Sequence, residues 1–427
     1  MNYQFTPGPD QARQLDQADP LKDFRRRFYI NESEIYMDGN SLGLCSRDAE
    51  AAVLKMLEIW KTQGINMWGI ENGHYFLYPS YLGGLLAPLV GADPDEVTVT
   101  NSVTVNLHQC LATFYQRGAG RYKIVVDELN FPTDRHAVDS QVRLHGLNPE
   151  EAVVTVSSPD GRTLNEEELI AALTDDVALA LFPSVLYRSA QLLDMEKVTA
   201  AARARGVIIG WDLCHSIGVL PHDLKKIGAD FAVWCNYKYL SAGPGVTAGL
   251  YVNRRHFGRR PGLAGWWGHV KETLFQLNHQ HQPAPDADGW LTGTPPMLSM
   301  AAIEGVMKIF NEAGLPRIRE KSLLITAYMM FLIDERLTSH GFKVGNPRQD
   351  DRRGGHVALE HDEAYRICRA LKSRGVIPDY REPNVIRLSP APLYVTYADV
   401  YRLVGILEEI AVTKAYEQFE HVRTLVV

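Results

Sequence analysis

The stretch from Gly206 to Gly249, GVIIGWDLCHSIGVLPHDLKKIGADFAVWCNYKYLSAGPGVTAG, decides the fold. Its first apolar, β-branched run, Val207 to Trp211, predicts a buried parallel strand that delivers Asp212 at its carboxyl end. A second buried run, Asp230 to Cys235, leads shortly afterwards to Lys238. An acid and a lysine therefore follow two strands, at the edge where open α/β sheets bind their ligands.

This pairing of Asp212 with Lys238 suits pyridoxal phosphate. The cofactor needs a lysine amine to hold its aldehyde as a Schiff base, and a carboxylate to keep its ring nitrogen protonated. At about 4 Å and an effective dielectric constant near 20, the carboxylate contributes roughly 4 kcal/mol, or about three pK units. The spacing fits equally well an ordinary sheet in which Asp212 caps a turn and Lys238 is solvated.

Three separated motifs in and after this stretch resemble those of the kynureninase family, whose members are fold type I pyridoxal phosphate enzymes. The motifs are Asp-Leu-Cys-His at 212–215, Trp-Cys-Asn-Tyr-Lys-Tyr-Leu at 234–240 and Gly-Trp-Trp-Gly-His at 265–269. The resemblance extends from Gly-Asn-Ser-Leu-Gly at 39–43 to Arg-Leu-Ser-Pro-Ala-Pro-Leu-Tyr at 387–394. It therefore covers most of the chain.

The resemblance implies an α/β fold with a mainly parallel seven-stranded sheet, helices on both of its faces, and a smaller α+β domain at the C-terminus. We expect residues 1–50 to form an arm that packs on the small domain or on a partner. Residues 51–300 would form the large cofactor-binding domain, and residues 301–427 the small domain.

A strand, a hydroxyl-rich turn and a helix follow one another from Val97 to Phe114. Such a helix start offers backbone N–H groups and a hydroxyl to a phosphate, although a simple Ser/Thr N-cap explains the pattern as well. The resemblance favours the phosphate site, with Val103 and Thr104 as cofactor ligands. It also gives Phe131 the position that stacks on the cofactor ring, for which core packing is the alternative.

The resemblance assigns four catalytic residues in the central stretch. Lys238 would hold the cofactor and then remove the substrate Cα proton, while Asp212 keeps the ring nitrogen protonated. Tyr237 would relay a proton and contact the phosphate. His215 would support Asp212 and the cofactor ring.

Further site residues come from other parts of the chain. By resemblance, Asp134 and Ser184 contact the cofactor, whereas Trp266 and Thr294 reach the phosphate from the partner subunit. This arrangement implies a homodimer with shared active sites. The expected substrate-binding residues are Ser41, Trp68, Trp267 and Arg387; a guanidinium such as that of Arg387 is suited to an α-carboxylate.

Two positions depart from the family pattern, and both concern the aryl pocket. The family's Gly-His pair falls on Met67 and Trp68, and Trp267 stands where the family has phenylalanine. His74 is an alternative source of the imidazole if the local alignment is shifted.

Apolar periodicity predicts the remaining helices and strands. We expect helices at 47–62, 75–90, 165–173, 194–205, 299–313, 317–339, 362–375 and from 397, and strands at 97–100, 123–126, 153–157, 177–183, 246–252, 342–345, 355–360 and 385–388.

Composition bounds the classes of function. The 427 residues are 45% hydrophobic and 22% charged, as in an ordinary soluble protein, and the net charge of −7 gives no basic footprint for nucleic acid or an anionic membrane. Five scattered cysteines and the absence of an apolar leader favour a reduced, cytoplasmic protein. His269, His279 and His281 lack tight metal-ligand spacing, so no metal is expected.

The resemblance implies hydrolysis of L-kynurenine or 3-hydroxykynurenine to an anthranilate and L-alanine, as in tryptophan catabolism and NAD biosynthesis. A ring-substituted kynurenine or another γ-oxo amino acid is an alternative substrate. Cysteine desulfuration or transamination is a second reading, although desulfurases place histidine before the lysine and this chain has Tyr237 there. A non-catalytic, cofactor-binding homologue is the third.

Overall fold

The computed structural model describes residues 3–118 and 120–421 of the chain. The α-helices of these residues are α1 (Pro9–Ala18), α2 (Arg47–Gln63), α3 (Tyr78–Val90), α4 (Val103–Phe114), α5 (Pro132–Leu144), α6 (Pro149–Ala152), α7 (Glu166–Ala171), α8 (Met195–Ala204), α9 (Leu224–Ile227), α10 (Met297–Ala313), α11 (Leu315–Arg336), α12 (Ala364–Lys372) and α13 (Tyr397–Thr413). In the described part of the chain, no helix is long and apolar enough to cross a membrane.

The strands form a large sheet, a smaller sheet and a short pair. They are β1 (Ile35–Tyr36), β2 (Val97–Val99), β3 (Lys123–Asp127), β4 (Val153–Val156), β5 (Val177–Pro183), β6 (Ile208–Asp212), β7 (Phe231–Trp234), β8 (Gly249–Val252), β9 (Lys343–Val344), β10 (Val357–Glu360), β11 (Val376–Ile377), β12 (Asp379–Arg381) and β13 (Val385–Leu388). The large sheet has seven strands in the order β2-β8-β7-β6-β5-β3-β4.

The large sheet is mainly parallel because helical crossovers connect its central strands. Strands β3 to β7 run parallel, and β8 is antiparallel to both β7 and β2. Every residue of β5 is buried, as expected for a strand covered on both faces. The register pairs Asp212 with Val233, so β6 and β7 end side by side. This brings the turns that carry His215 and Lys238 to the same edge.

Helix α3 lies unusually close to the first strand of this sheet. A Cβ added to Gly83 would lie 2.0 Å from the backbone oxygen of Val97, whereas one on Gly84 would meet nothing nearer than 3.7 Å. The helix can therefore reach β2 only because position 83 has no side chain.

The C-terminal part forms a second, smaller layer. Strands β12-β13-β10-β9 form an antiparallel sheet, beside which α11 and α12 pack, and α13 packs on these two helices. Helix α1 packs on α13, and the Asp16 carboxylate accepts hydrogen bonds from the backbone N–H groups of Tyr397 (2.7 Å) and Ala398 (3.0 Å). Lys321 Nζ lies 2.7 Å from the buried carboxylate of Asp19. The N-terminal segment is thus bound to α13 through Asp16 and to α11 through Asp19.

The expected α/β architecture with a mainly parallel seven-stranded sheet is confirmed. The strand expected from Val246 begins only at Gly249, because Gly243 and Gly245 have positive φ and extend the turn. The helix expected from residue 75 begins at Tyr78, after a 3₁₀ turn at Ile70–Gly73. The division at residues 50 and 300 stays a prediction, and its end pieces 1–2 and 422–427 lie outside the described residues.

Candidate active site

A cavity of about 350 Å³ opens at the carboxyl edge of β6 and β7. It is lined by residues from the large sheet, from the N-terminal turn and from the C-terminal domain: Asn40, Ser41, Asn101, Ser102, Val103, Thr104, Phe131, Thr133, Asp212, Cys214, His215, Cys235, Tyr237, Lys238, Gly245, Val246, Ala248, Arg381 and Arg387. Of the fifteen residues singled out in the sequence, nine line this cavity: Ser41, Val103, Thr104, Phe131, Asp212, His215, Tyr237, Lys238 and Arg387.

Lys238 and His215 form the centre of the cavity. Lys238 Nζ lies 2.9 Å from His215 Nε2 and 5.9 Å from the centroid of the Phe131 ring. Burial, followed by the positive charge of Lys238, holds the pKa of His215 well below its ordinary value. A neutral imidazole can accept at Nε2 from the lysine amine. His215 Nδ1 is then buried with no hydrogen-bond partner in the described protein.

Asp212 is buried and held by its own turn. One carboxylate oxygen accepts from the backbone N–H of Cys214 at 2.7 Å, and its carbonyl accepts from the backbone N–H of Ser184 at 2.8 Å. Ser184 lies beneath the cavity, where its hydroxyl pairs with that of Ser216 at 2.7 Å. Asp134 is also fully buried nearby, and burial followed by the charge of Asp212 raises its pKa well above the ordinary value. A buried, turn-locked carboxylate thus stands beside a second acid that favours its protonated form.

The start of α4 forms one end of the cavity. Ser102 caps this helix by accepting from the backbone N–H of Val105, and Val103 and Thr104 follow it at the cavity wall. The Thr104 hydroxyl lies 2.8 Å from that of Thr133. Unpaired N–H groups and the positive end of the helix dipole make this the anion-binding end of the cavity.

Arg387 also lines the cavity, although it belongs to β13 of the C-terminal domain. Its guanidinium donates to Ser41 Oγ (2.9 Å) and to the carbonyl of Tyr187 (2.9 Å), and it pairs with the carboxylate of Asp379. Burial lowers the pKa of Arg387 and the negative charge of Asp379 opposes that shift. The cavity therefore has a fixed cation in addition to the Lys238 amine.

Four further predicted site residues, Trp68, Trp266, Trp267 and Thr294, do not line the Lys238 cavity of this chain. Trp68 and Trp267 contact each other, with ring centroids 5.4 Å apart. Trp68 and Thr294 line a separate surface cavity of about 460 Å³, and Trp266 is 43% exposed beside another. His74 packs its ring against Tyr75, Tyr78 and Tyr81.

His269 is held by hydrogen bonds within the 254–288 segment. His269 Nε2 lies 2.9 Å from Thr273 Oγ1, and its Nδ1 accepts from the backbone N–H of Gln282. No group of three or more potential metal ligands occurs among residues 3–118 and 120–421.

Several cavity residues were not singled out from the sequence. Asn101, Thr133 and Arg381 line the wall, and Cys214 and Cys235 lie next to the Asp212 and Lys238 turns. The strand ends could have indicated the two cysteines, because Cys214 adjoins His215 and Cys235 lies two residues before Tyr237. Nothing in the sequence alone placed Arg381, since only the pairing of β12 with β13 brings it to the cavity.

These residues fit pyridoxal phosphate. The cavity has a lysine amine at its centre, a buried carboxylate in the same wall, and a helix N-terminus at one end for a phosphate. The buried Nδ1 of His215, which no protein group satisfies, is a further donor inside the same cavity.

Comparisons with known proteins agree with this geometry. A family model described as the kynureninase C-terminal domain matches residues 318–407. The chain is 51% identical over 415 residues to kynureninase from Geobacillus thermodenitrificans (strain NG80-2), covering 97% of each chain. It is 52% identical over 422 residues to kynureninase from Bacillus anthracis, covering 99% of each.

Solved structures with this fold include cysteine desulfurases. The apo enzyme from Thermococcus onnurineus NA1 superposes with a TM-score of 0.78 at 16% identity, over 92% of this chain and 98% of that one. The cysteine desulfurase CsdA from Escherichia coli gives 0.75 at 16% identity, over 98% and 100%. At this identity the likeness concerns the fold alone.

Proposed function

The chain belongs to the kynureninase family, and from this membership we propose that it hydrolyses L-kynurenine or 3-hydroxykynurenine. The reaction adds water across the Cβ–Cγ bond and releases an anthranilate and L-alanine, with pyridoxal phosphate as cofactor. The observation that carries the proposal is one cavity faced by Lys238, Asp212 and Arg387. These side chains offer an amine, a buried acid and a carboxylate-binding guanidinium to one small amino acid.

The bound cofactor supplies a protonated ring that accepts the electron pair left behind at the substrate carbon. Asp212 keeps the ring nitrogen protonated, and its bond from the Cys214 N–H fixes the carboxylate in place. The helix start at Val103 and Thr104 would hold the phosphate, together with the Tyr237 hydroxyl, and Phe131 would pack against the ring. We further propose that Asp134 and Ser184 position Asp212. The Asp134 carboxyl interacts with the charge of Asp212, and the backbone N–H of Ser184 donates to the carbonyl of Asp212.

Lys238 is the base that moves the substrate Cα proton. Its Nζ is already hydrogen-bonded to neutral His215, which can take part in orienting the amine without adding a charge. Burial raises the pKa of Tyr237, so its phenol stays protonated and can return a proton. Arg387 and Ser41 bind the substrate α-carboxylate.

The test is turnover of L-kynurenine and 3-hydroxykynurenine by the cofactor-loaded protein, with anthranilate fluorescence and L-alanine release measured together. Lys238→Ala should reduce turnover by at least about 10³-fold, since it removes both the cofactor anchor and the base. Lys225→Ala is the matched control, because Lys225 is half exposed, pairs with Asp93 and does not line the cavity. Equal activity in both variants, or no alanine from either substrate, would refute the assignment.

We also propose that the chain works as a homodimer with shared sites, in which Trp266 and Thr294 serve the partner's cavity. Neither residue lines the Lys238 cavity of its own chain, which supports this, as does the apolar surface around them. That surface includes Trp60 (57% exposed), Ile65 (78%), Phe275 (66%) and Leu298 (41%). Trp68 and Trp267 would then form the aryl side of a shared pocket.

Mixing two inactive chains tests the shared site. A heterodimer of Lys238→Ala with Trp266→Ala has one cavity with both residues intact, so an equimolar mixture should recover about a quarter of the wild-type activity. Lys238→Ala mixed with Arg387→Gln is the control, because both residues lie in the same chain's cavity and no intact cavity can form. No recovery of activity in the first mixture would contradict the proposal that Trp266 serves the partner's cavity.

We also propose a cytoplasmic location, which the five free cysteines support, four of them buried.

A further inference from the structure

Arg381 is a second arginine at the carboxylate end of the cavity. It ends β12, and it lies two residues from Asp379 on the same face of the small sheet. The register places Asp379 directly opposite Arg387 on β13. Arg381 also lines the cavity that holds Lys238. Two guanidinium groups therefore flank one carboxylate at the cavity wall.

The two arginines use Asp379 differently. Arg387 is buried, and donates to Asp379, Ser41 and the carbonyl of Tyr187. Arg381 donates to the same Asp379 oxygen through Nε at 2.9 Å, and its side chain remains 33% exposed. That bond leaves both Nη groups of Arg381 out of the contact with Asp379. Arg381 is thus the more accessible of the two cations.

The charges of these side chains explain why Arg387 alone is insufficient to attract a substrate carboxylate. Asp379 orients Arg387 but cancels its positive charge, so this pair alone offers a substrate carboxylate only hydrogen bonds. Arg381 restores a net charge of about +1 to the group of three side chains. The nearby Asp38 carboxylate, buried beside Asp379, draws the potential down again whenever it is ionised. A net cation at this wall therefore requires Arg381.

From this geometry we infer that Arg381 is a substrate-positioning residue: it neutralises Asp379 and offers its Nη groups to the α-carboxylate that Arg387 binds. The inference rests on the proposed function, because it takes the substrate to be an α-amino acid. It predicts that Arg381 makes the site selective for ligands with a free carboxylate. A purely structural role of Arg381 would not produce this selectivity.

The experiment compares two small ligands of the cofactor-loaded protein, L-alanine and L-alaninamide, by calorimetry. Both have the α-amine, and only alanine has the carboxylate. In Arg381→Gln, we expect L-alanine to bind about 10- to 100-fold more weakly than in wild type. Binding of L-alaninamide should change less than about threefold. Arg381→Lys, which keeps the charge and loses the planar fork, should fall between.

Arg348→Gln is the matched control. Arg348 pairs with Asp334 through two bonds, is half exposed, and does not line the cavity. It should leave both affinities unchanged. Thermal unfolding and the visible band of the lysine-bound cofactor show whether each variant is folded and loaded. Equal weakening of both ligands in Arg381→Gln, or no weakening of either, would overturn the inference.

The outcome is separable from the test of the reaction. A wild-type protein that binds L-alanine but does not cleave kynurenines would refute the proposed hydrolysis, and the comparison of alanine with alaninamide would still decide the role of Arg381. In a protein that does cleave L-kynurenine, Arg381→Gln should raise KM by the same 10- to 100-fold, about as much as it weakens alanine. Its kcat should stay within about threefold of wild type.

Discussion

Lys238 Nζ lies 2.9 Å from Nε2 of His215, whose other ring nitrogen is buried without a partner in the described protein. Because His215 is held neutral, it can accept from the amine without competing as a second cation. We expect His215→Phe to lower kcat/KM about 100-fold. His215→Gln, which keeps an acceptor near Nε2, should lose less. Steady-state kinetics of both variants checks this, and equal losses would show that the acceptor is unimportant.

Asp38 gives the carboxylate end a pH dependence. Burial, followed by the charge of Asp379, raises the pKa of Asp38 to about 6. The groups that face it include Ser41, Arg381 and Arg387. Below pH 6 the Asp38 carboxyl is neutral, and above pH 6 its negative charge opposes an incoming carboxylate.

Asp38→Asn should therefore tighten L-alanine binding several-fold at about pH 8 and leave it nearly unchanged at about pH 5. Calorimetry of wild type and variant at both pH values measures the ratio of their L-alanine affinities. Because the ligand amine titrates equally in both experiments, its effect cancels in this ratio. A tightening of the same size at the lower pH would mean that the charge of Asp38 is not the cause.

Asp127 makes stability depend on pH with the opposite sign to a salt-bridged acid. Burial raises its folded-state pKa from 3.8 to about 7, although its carboxylate accepts from the N–H of Leu129. Between about pH 4 and pH 7 the unfolded chain releases this proton and the folded chain retains it. Raising the pH through that window therefore favours unfolding, by up to about 1.4 kcal/mol for each pH unit.

Asp127→Asn keeps the oxygen that accepts from Leu129 and removes the ionisation. The variant should melt at a higher temperature than wild type at about pH 8, with little difference at about pH 4. Scanning calorimetry of the cofactor-loaded protein at both pH values is the measurement. A variant that is no more stable at the higher pH would show that Asp127 ionises normally in the folded protein.

Gly83 and Gly84 form a matched pair in the middle of α3. Gly83→Ala would place a methyl group 2.0 Å from the Val97 backbone oxygen, so the helix must move away from β2. We expect a loss of about 3 kcal/mol or more. Gly84→Ala meets nothing closer than 3.7 Å and should gain up to about 1 kcal/mol from helix propensity. Urea unfolding of both variants decides, and equal effects would contradict the close approach.

The sequence predicts the large sheet well because its strands are short, apolar and bounded by turns. The bounds of β5 and β13 agree residue for residue with expectation. Strands β11 and β12 were missed; they have two and three residues, and such short runs have no periodicity of their own. Their existence depends on pairing with β1 and β13, which no local pattern records.

The residues of the candidate site likewise divide into those that the sequence predicts and those that it does not. Asp212, His215, Tyr237 and Lys238 lie within one stretch, so strand ends and the family resemblance suffice to bring them together. Arg381 escaped notice because an arginine outside a motif looks like any surface arginine. Trp68 and Trp267 were expected in one pocket, and their rings do contact each other. In the proposed dimer they would face Lys238 of the partner subunit, and no pattern within one chain indicates a contact between two chains.

The bonds from Asp16 to the start of α13 join residues 381 and 382 positions apart. During synthesis, the Asp16 carboxylate cannot accept these two hydrogen bonds until residues 397 and 398 have been made. Contacts of such long sequence separation form late and slow the folding reaction. The docking of α1 on α13 is therefore completed only after α13 has been synthesised, whereas Asp19 can pair with Lys321 of α11 before that.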